Sequence, residues 1–174
     1  MSQYDLYDSS SALGKVFEHK WQYNVDIKLN KKHEDAVLPT QSKDDVGFDL
    51  YAIESGVIGP NSSAKIDTGL CFAEPIDAIG NYKVFAKMEG RSGLASKSIF
   101  PIGGIIDPSY RGLLKVVLYN GSQHLYEYKK GDKIAQLVLY TALFNSENIK
   151  VNFVETDEIK ESERGDKGFG SSGR

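Results

Sequence analysis

Hydrophobic and polar residues alternate with a period of two in several stretches after residue 22. Such alternation is typical of β-strands that bury one face. Turn-forming residues separate these stretches, for example Gly59-Pro60-Asn61 and Asn120-Gly121-Ser122. Many short strands at a spacing of roughly 8–12 residues favour an antiparallel sandwich or barrel. The predicted strands are 25–29, 66–73, 82–88, 113–119, 124–128, 134–143 and 149–154.

The two ends of the chain depart from this pattern. Between residues 11 and 21 the apolar residues recur at helical spacing, at Leu13, Val16, Phe17 and Trp21, which predicts an amphipathic helix or arm. Residues 155–174 show no periodicity, and their glycines contribute no side chain to a core. We therefore expect an N-terminal extension at 1–22, one β domain at 23–155 and a flexible C-terminal segment at 156–174.

Composition narrows the class of protein. The 174 residues suit a single domain, and a net charge of −3 gives no general attraction to nucleic acid or to an anionic membrane. No apolar run approaches the ~20 residues of a membrane span. The one cysteine, Cys71, lies between Leu70 and Phe72, where a small buried residue is expected. We expect a protein of a reduced, cytosol-like compartment that binds no membrane and does not bind nucleic acid directly.

Several kinds of catalytic motif do not occur in the sequence. It has no G-x-x-x-x-G-K-[ST] phosphate loop, no paired metal-ligand cysteines and no H-x-x-x-H, which removes most nucleophilic and zinc chemistry. Four stretches nevertheless break the strand pattern with residues that a core does not need, at 44–52, 90–97, 101–112 and 130–137.

Three of these stretches each allow a structural and a functional interpretation. Asp49 lies between apolar neighbours and is either a partnered structural carboxylate or a group beside a metal. Arg91 and Ser92 form either an anion site at the start of a short helix or a surface loop. Gln136 breaks the alternation of a buried strand, so its amide needs partners that are structural or belong to a ligand.

The remaining stretch, 101–112, and the C-terminal tail also leave their function undecided when each is considered alone. Residues 101–112 predict a β-hairpin, in which Asp107 is a turn residue and Tyr110 a strand aromatic. The tail 164–174 is either a frayed terminus or a segment that wraps a phosphate with arginine, glycine and serine. Together the stretches supply arginines and serines to bind a polyphosphate, an aspartate to act as a general base and two aromatic residues to contact a flat ring. They also supply a carboxylate to order a metal ion.

In this order, the five stretches resemble the five motifs of the homotrimeric dUTPase family. The resemblance runs from Asp45 to the C-terminus, about three quarters of the chain. Any one motif is weak evidence, whereas the ordered set is highly specific. The matching segments are Gly47-Phe48-Asp49-Leu50-Tyr51, Arg91-Ser92-Gly93-Leu94-Ala95, Gly104-Ile105-Ile106-Asp107 with Tyr110-Arg111-Gly112, Gly131-Asp132-Lys133-Ile134-Ala135-Gln136-Leu137, and Arg164-Gly165 with Gly168-Phe169-Gly170-Ser171.

The resemblance implies an all-β, jelly-roll-like barrel or sandwich with few short helices and a flexible C-terminal arm. It also implies a homotrimer with active sites at the subunit interfaces, each closed by a C-terminal lid. The implied reaction is hydrolysis of dUTP to dUMP and pyrophosphate with Mg²⁺, which limits uracil incorporation into DNA and supplies dUMP for dTMP synthesis. The implied compartment is the cytoplasm, or the host-cell cytoplasm or nucleus if the protein is viral.

The resemblance also implies roles for individual residues. Asp107 resembles the general base that activates the attacking water, and Tyr110 the residue that leaves no room for a 2′-hydroxyl. Asp49 resembles the carboxylate that holds a Mg²⁺-bound water. The other residues form three sets: Gly104, Ile105, Ile106 and Lys115 for reading uracil through the main chain; Arg91, Ser92, Gly93 and Gln136 for phosphates; and Arg164, Phe169, Gly170, Ser171 and Ser172 for the lid, with Arg164 at the γ-phosphate and Phe169 over the uracil.

Departures from the family pattern leave alternatives open. Gly90 stands where proline is usual, Asp166-Lys167 places charge in the tail, and the side chain of Lys115 must point away if its main chain reads the base. Residues 1–22 are not explained by the family core. The alternatives are a dCTP deaminase-like enzyme of the same fold, a nucleotide-dependent regulatory protein, or a binding module without catalysis.

Overall fold

Eleven short β-strands and one helical turn form the part of the chain that a computed structural model describes, residues 26–74, 76 and 83–142. The predicted helix at 11–21, the predicted strand at 149–154 and both terminal segments lie outside these residues. The elements are β1 (Leu29–Lys31), β2 (Phe48–Tyr51), β3 (Gly56–Ile58), β4 (Ser62–Asp67), β5 (Leu70–Phe72), β6 (Lys83–Glu89), α1 (Ser92–Ala95), β7 (Ile99–Pro101), β8 (Ile105–Ile106), β9 (Lys115–Asn120), β10 (Tyr126–Tyr128) and β11 (Lys133–Ala142).

Antiparallel pairing arranges the described strands in four sheets. The largest has the order β2-β11-β6-β8, and a three-stranded sheet has the order β4-β9-β7. Two pairs complete the arrangement, β1 with β5 and β10 with β3. The predicted all-β class is therefore confirmed. The described residues contain no helix with the length and apolarity that a membrane crossing needs.

The core follows directly from the alternation in the long strands. In β6, Val84, Ala86 and Met88 are buried, while their neighbours are only half-buried or exposed. In β9, Val116 and Leu118 are buried in the same way. These side chains belong to one hydrophobic cluster, so both larger sheets contribute to a single core. The predicted burial of Cys71 is also confirmed, because only 4% of the residue is exposed.

Several strands differ from the sequence prediction. The predicted strand 66–73 is two strands, β4 and β5, because Gly69 adopts a φ of +67° and turns the chain between them. A side chain at Gly69 would also meet the Cβ of Ala36 at 2.9 Å. Strand β1 begins at Leu29, the last residue of the predicted strand 25–29. Strands β3, β7 and β8 have three residues or fewer, too short for a period-two signal.

A fully buried amide fastens one end of the three-stranded sheet. The Asn120 side chain donates to the carbonyl oxygens of Ile58 at 3.0 Å and His124 at 2.7 Å. Its oxygen accepts bonds from the main-chain N–H and the hydroxyl of Ser122. All hydrogen-bonding positions of the amide are therefore used, which is how a buried polar side chain is tolerated. The turn after β9 is thereby tied to β3.

Candidate functional site

A cavity of about 550 Å³ is lined by residues of both larger sheets and of the segments that follow them. The predicted β-hairpin at 101–112 is wrong in its pairing. Pro101 and Ile102 bond to β9, whereas β8 leaves this pair and joins β6. Residues 104–106 and 113–117 therefore line the cavity from two sides, as its first and second arms. Its lining consists of Lys65, Met88, Gly104, Ile105, Ile106, Asp107, Tyr110, Leu113, Leu114, Lys115 and Val117.

Gly104 brings the first arm of the cavity against β6. Its carbonyl accepts a hydrogen bond from the Met88 main-chain N–H at 2.9 Å. Its φ is +113°, and an added Cβ would meet the Cβ of Met88 at 3.1 Å and the Met88 carbonyl oxygen at 3.2 Å. Only glycine combines this conformation with so close an approach. The backbone of residues 104–106 is thereby fixed at the cavity wall.

The turn after β8 places Asp107 and Tyr110 at the cavity. The Tyr110 main-chain N–H donates to the Asp107 carbonyl at 3.0 Å, and the Tyr110 hydroxyl donates to the Leu113 carbonyl at 3.1 Å. Arg111 donates to the carbonyls of Pro108 and Tyr110 and so braces the same turn. The turn is closed by main-chain acceptors, and Asp107 is exposed. An exposed carboxylate therefore lies beside a firmly held aromatic ring.

A second group of polar side chains forms around Asp49, only 7% of which is exposed. Arg91 Nε donates to Asp49 Oδ1 at 3.1 Å, and Lys133 Nζ lies 2.8 Å from Asp49 Oδ2. Arg91 Nη1 donates to the Lys133 carbonyl at 3.2 Å, which closes the triangle. The hydrogen bond to Asp49 raises the pKa of the Lys133 ammonium above its usual 10.5. Two cations against one carboxylate leave this group with a net positive charge.

The strands explain why these distant residues meet. Gln136 on β11 lies opposite Asp49 on β2 and opposite Glu89 on β6. Arg91 follows β6 after one residue, Gly90, at the position before α1. Gly47 leaves room for Gln136, since an added Cβ would stand 2.9 Å from the Gln136 Cβ. Pairing within the four-stranded sheet therefore brings together three of the stretches that break the strand pattern, 44–52, 90–97 and 130–137.

The predicted short helix after Arg91 is confirmed as the four-residue α1. Ser92 and Gly93 are exposed at its start, and Leu94 anchors it in the core. The Arg91 side chain turns towards Asp49. Gly90, which stands where proline was expected, packs beside Pro101, because an added Cβ would meet the Pro101 Cδ at 3.3 Å.

The structure thus brings the predicted site residues together in two groups. The cavity gathers Gly104, Ile105, Ile106, Asp107, Tyr110 and Lys115. The Asp49 group gathers Asp49, Arg91 and Gln136, with Ser92 and Gly93 beside them. The predicted lid residues lie outside the described part of the chain: Arg164, Phe169, Gly170, Ser171 and Ser172.

Lys133 has no role among those that the resemblance implies, although it lies inside one of the matching segments. Its partner Asp49 is on a different strand, and only the pairing of β2 with β11 brings the two together. The sequence also gives no sign of the ion pair between Lys115 Nζ and Asp67 Oδ2, which lie 3.4 Å apart. It draws the Lys115 side chain towards β4, which agrees with the expectation that this side chain turns away from the base-reading main chain.

The fold and the two groups define an all-β protein with a pocket and a separate cationic cluster, and comparison with known proteins gives its family. The dUTPase family model matches residues 33–173. A deoxyuridine 5'-triphosphate nucleotidohydrolase of Nautilia profundicola is 36% identical over 152 residues, covering 85% of this chain and 99% of that protein. One of Candida albicans is 34% identical over 159 residues, covering 90% of this chain and 94% of that protein. The chain belongs to the dUTPase family.

Solved structures agree with this assignment. A variant of the Staphylococcus bacteriophage 80alpha dUTPase with dUpNHpp matches with a TM-score of 0.68 and 26% identity, covering 86% of this chain and 99% of that one. A variant of the dUTPase from phage phi11 of S. aureus, described with a structural Mg(II) ion, matches with a TM-score of 0.63 and 22% identity, covering 78% of this chain and 99% of that one. The resemblance to the dUTPase family is confirmed, which favours a dUTPase over a dCTP deaminase-like enzyme.

Proposed function

We propose that this chain hydrolyses dUTP to dUMP and pyrophosphate, and so limits uracil incorporation into DNA and supplies dUMP for dTMP synthesis. The observation that carries this function is the cavity that places Asp107 and Tyr110 together in a chain of the dUTPase family. Its volume of about 550 Å³ lies within the range typical of small-molecule sites. The pocket is also partly lined by main chain, which suits recognition of a base edge.

In this proposal the cavity holds the base and the sugar. The main chain of Gly104, Ile105, Ile106 and Lys115 reads the uracil, since fixed N–H and C=O groups reject the reversed pattern of cytosine. A narrow wall also rejects the methyl group of thymine. Tyr110 lies under the sugar and excludes a 2′-hydroxyl. The hydrogen bond from its hydroxyl to the Leu113 carbonyl supports this role, because it holds the ring in place.

Asp107 is the proposed general base. Its carboxylate accepts a proton from the attacking water, the oxygen of that water forms a bond to phosphorus, and the bond between the α- and β-phosphates breaks. Pyrophosphate departs as the leaving group. The exposure of Asp107 beside the cavity supports this role, because a water must reach it. A positioned base typically contributes about 10²–10⁴-fold to the rate.

The Asp49 group is the proposed phosphate and metal site. Its net positive charge favours a polyphosphate, with Arg91, Ser92, Gly93 and Gln136 as ligands. The described residues contain no cluster of three acidic, histidine or cysteine side chains that could cage a metal. The single carboxylate of this group, Asp49, fits Mg²⁺, which keeps several waters and commonly binds through one or two carboxylates and substrate phosphates. Asp49 would hold one of those waters, and the ion would offset charge on the phosphates.

The assembly and the lid complete the proposal. Two groups on one chain suit active sites that are shared between the subunits of a homotrimer. Arg164 would clamp the γ-phosphate, Phe169 would cover the uracil, and Gly170, Ser171 and Ser172 would lie at the γ-phosphate. The proposed compartment is the cytoplasm, or the host-cell cytoplasm or nucleus for a viral protein. Sedimentation tests the trimer, since a monomer would contradict shared sites.

The deciding experiment measures pyrophosphate release from dUTP with Mg²⁺, and from UTP, dTTP and dCTP as controls. We expect release from dUTP that chelation of Mg²⁺ suppresses. Asp107→Asn removes the base, so turnover should fall by about 10²–10⁴-fold while dUMP binding persists. Glu127→Gln is the matched control, because Glu127 is an exposed acid on β10 outside both groups. No release from dUTP refutes the function, and equal loss of binding and turnover in Asp107→Asn refutes the role of Asp107.

A further inference from the structure

A buried threonine holds the second arm of the cavity from behind. Thr68 lies in the turn between β4 and β5, and only 1% of it is exposed. Its hydroxyl donates to the Leu114 carbonyl at 2.7 Å, and its main-chain N–H donates to the same oxygen at 3.2 Å. The Leu114 N–H in turn donates to the Leu70 carbonyl at 2.8 Å. Both main-chain polar groups of Leu114 are therefore bound to the segment 68–70.

These bonds set the direction of the next N–H along the chain. The Leu114 carbonyl and the Lys115 N–H belong to one peptide group, and in a trans peptide the two point in opposite directions. The carbonyl points to Thr68, so the Lys115 N–H points away from β4. On that side the Ile102 N–H donates to the Val117 carbonyl at 2.9 Å, and the chain runs on from Ile102 towards Gly104. The Lys115 N–H therefore faces the arm that carries the other cavity residues.

The segment that holds Leu114 is itself rigid. Asp67 Oδ1 accepts the Gly69 N–H at 2.8 Å, and the Gly69 carbonyl accepts the Lys32 N–H at 2.7 Å. Gly69 has no room for a side chain, as its contact with Ala36 showed. Asp67 also pairs with Lys115 Nζ at 3.4 Å. The same turn thus orients both the main chain and the side chain at position 115.

We propose that Thr68 is a positioning residue for base selection: its hydroxyl orients the peptide between Leu114 and Lys115 so that the Lys115 N–H is presented to the base. The proposal rests on the proposed function only in taking the cavity as the uracil pocket. Thr68 touches no substrate. It acts by holding a donor in a fixed direction, and a base that offers a donor in place of an acceptor at that point is rejected.

The test uses Thr68→Val, which keeps the shape of the side chain and removes the hydroxyl. Calorimetry of dUMP, dCMP and dTMP needs no turnover, so it separates this inference from the hydrolytic function. We expect dUMP binding to weaken about three- to tenfold, the amount associated with one hydrogen bond, and the preference over dCMP to narrow similarly. In turnover, KM for dUTP should rise while kcat changes by less than about twofold, because base binding is uniform between ground and transition states.

Two controls distinguish positioning from general loosening of the fold. Thr68→Ser keeps the hydroxyl and should restore both affinity and preference to within about twofold of the unmodified protein. Ile66→Val removes a methylene from a fully buried side chain on β4 and should lower Tm without narrowing the base preference. If Thr68→Val does not fold, Thr68→Ala takes its place. An unchanged preference in the hydroxyl-free variant, an equal change in Ile66→Val, or no dUMP binding by the unmodified protein overturns the inference.

Discussion

Gly112 controls the position of Tyr110, and replacing it tests the role of that ring without removing it. A Cβ built at Gly112 would stand 2.3 Å from the Tyr110 hydroxyl oxygen and 2.6 Å from the ring carbon that carries it. Ordinary contact begins at 3.4 Å, so the hydroxyl must withdraw by about 1 Å. Because φ at Gly112 is not positive, Gly112→Ala strains the contact and not the backbone.

The displacement has a cost that can be worked out. The Tyr110 hydroxyl lies 3.1 Å from the Leu113 carbonyl, so a shift of about 1 Å breaks that hydrogen bond. Losing it costs about 0.5–1.5 kcal/mol, and a change of this size lowers Tm by about 1–6 °C in a protein of this length. Misplacement of a positioning group by about 1 Å costs up to about a hundredfold in rate. We expect kcat/KM for dUTP to fall about ten- to a hundredfold.

The informative measurement is the ratio of kcat/KM for UTP to that for dUTP. If the ring excludes the 2′-hydroxyl, both Gly112→Ala and Tyr110→Ala should raise this ratio. Gly59→Ala is the matched control, because its Cβ would meet nothing closer than 3.6 Å and its φ is not positive. An unchanged ratio in Gly112→Ala, beside a raised ratio in Tyr110→Ala, would show that the glycine does not set the ring's position.

Two further predictions concern parts of the chain outside the cavity. The hydrogen bond from Lys87 holds the pKa of Glu89 below its usual 4.5, so Glu89 stabilises the fold above pH 4.5 and loses this contribution as the pH falls through its folded-state pKa. The Tm difference between the unmodified protein and Glu89→Gln should be small, because the side chains of Lys87 and Glu89 are both about a third exposed. This difference should vanish in acid. A Tm difference that grows in acid contradicts the expected direction of the pH dependence. Removal of residues 164–174 should leave the protein folded, in the proposed trimeric state, with pyrophosphate release nearly abolished. Full activity in that truncation refutes the lid.

The sequence predicted the long strands well and the short ones poorly. Strands β6, β9 and β11 have six residues or more, so their patterns are long enough to recognise: alternation in β6, and mainly apolar runs in β9 and β11. Strand β8 has two residues, and its position is decided by pairing with β6, a contact between distant segments that no local pattern shows. For the same reason the two arms of the 101–112 segment were expected to pair with each other.

The two groups of the candidate site were accessible from the sequence only through the ordered motifs. Periodicity shows that Asp49 and Gln136 are unusual at their positions, but it gives no sign that β2 lies beside β11. The resemblance supplied that relation for Asp49, Arg91 and Gln136. It supplied nothing for Thr68, whose importance comes from one hydroxyl bond to a carbonyl 46 residues further along the chain.

A bulge in β11 explains how Lys133 joins the Asp49 group. Ala135 lies opposite Leu50 on β2, and Lys133 lies opposite Tyr51, the next residue. Two steps along β11 therefore correspond to one step along β2, and Ile134 is the extra residue. Ile134 and Ala135 are both fully buried, although neighbouring residues of a regular strand point to opposite faces.

The bulge has a direct consequence for the site. Residues 133 and 136 are three apart, so a regular strand would place them on opposite faces of the sheet. With one extra residue between them, Gln136 lies opposite Asp49 and Lys133 reaches the same carboxylate at 2.8 Å. A shift of one residue in this pairing would turn Gln136 towards the core and a core side chain towards Asp49. The sequence therefore records the bulge as two consecutive buried residues, Ile134 and Ala135, after which regular alternation resumes with Gln136 between the buried Ala135 and Leu137.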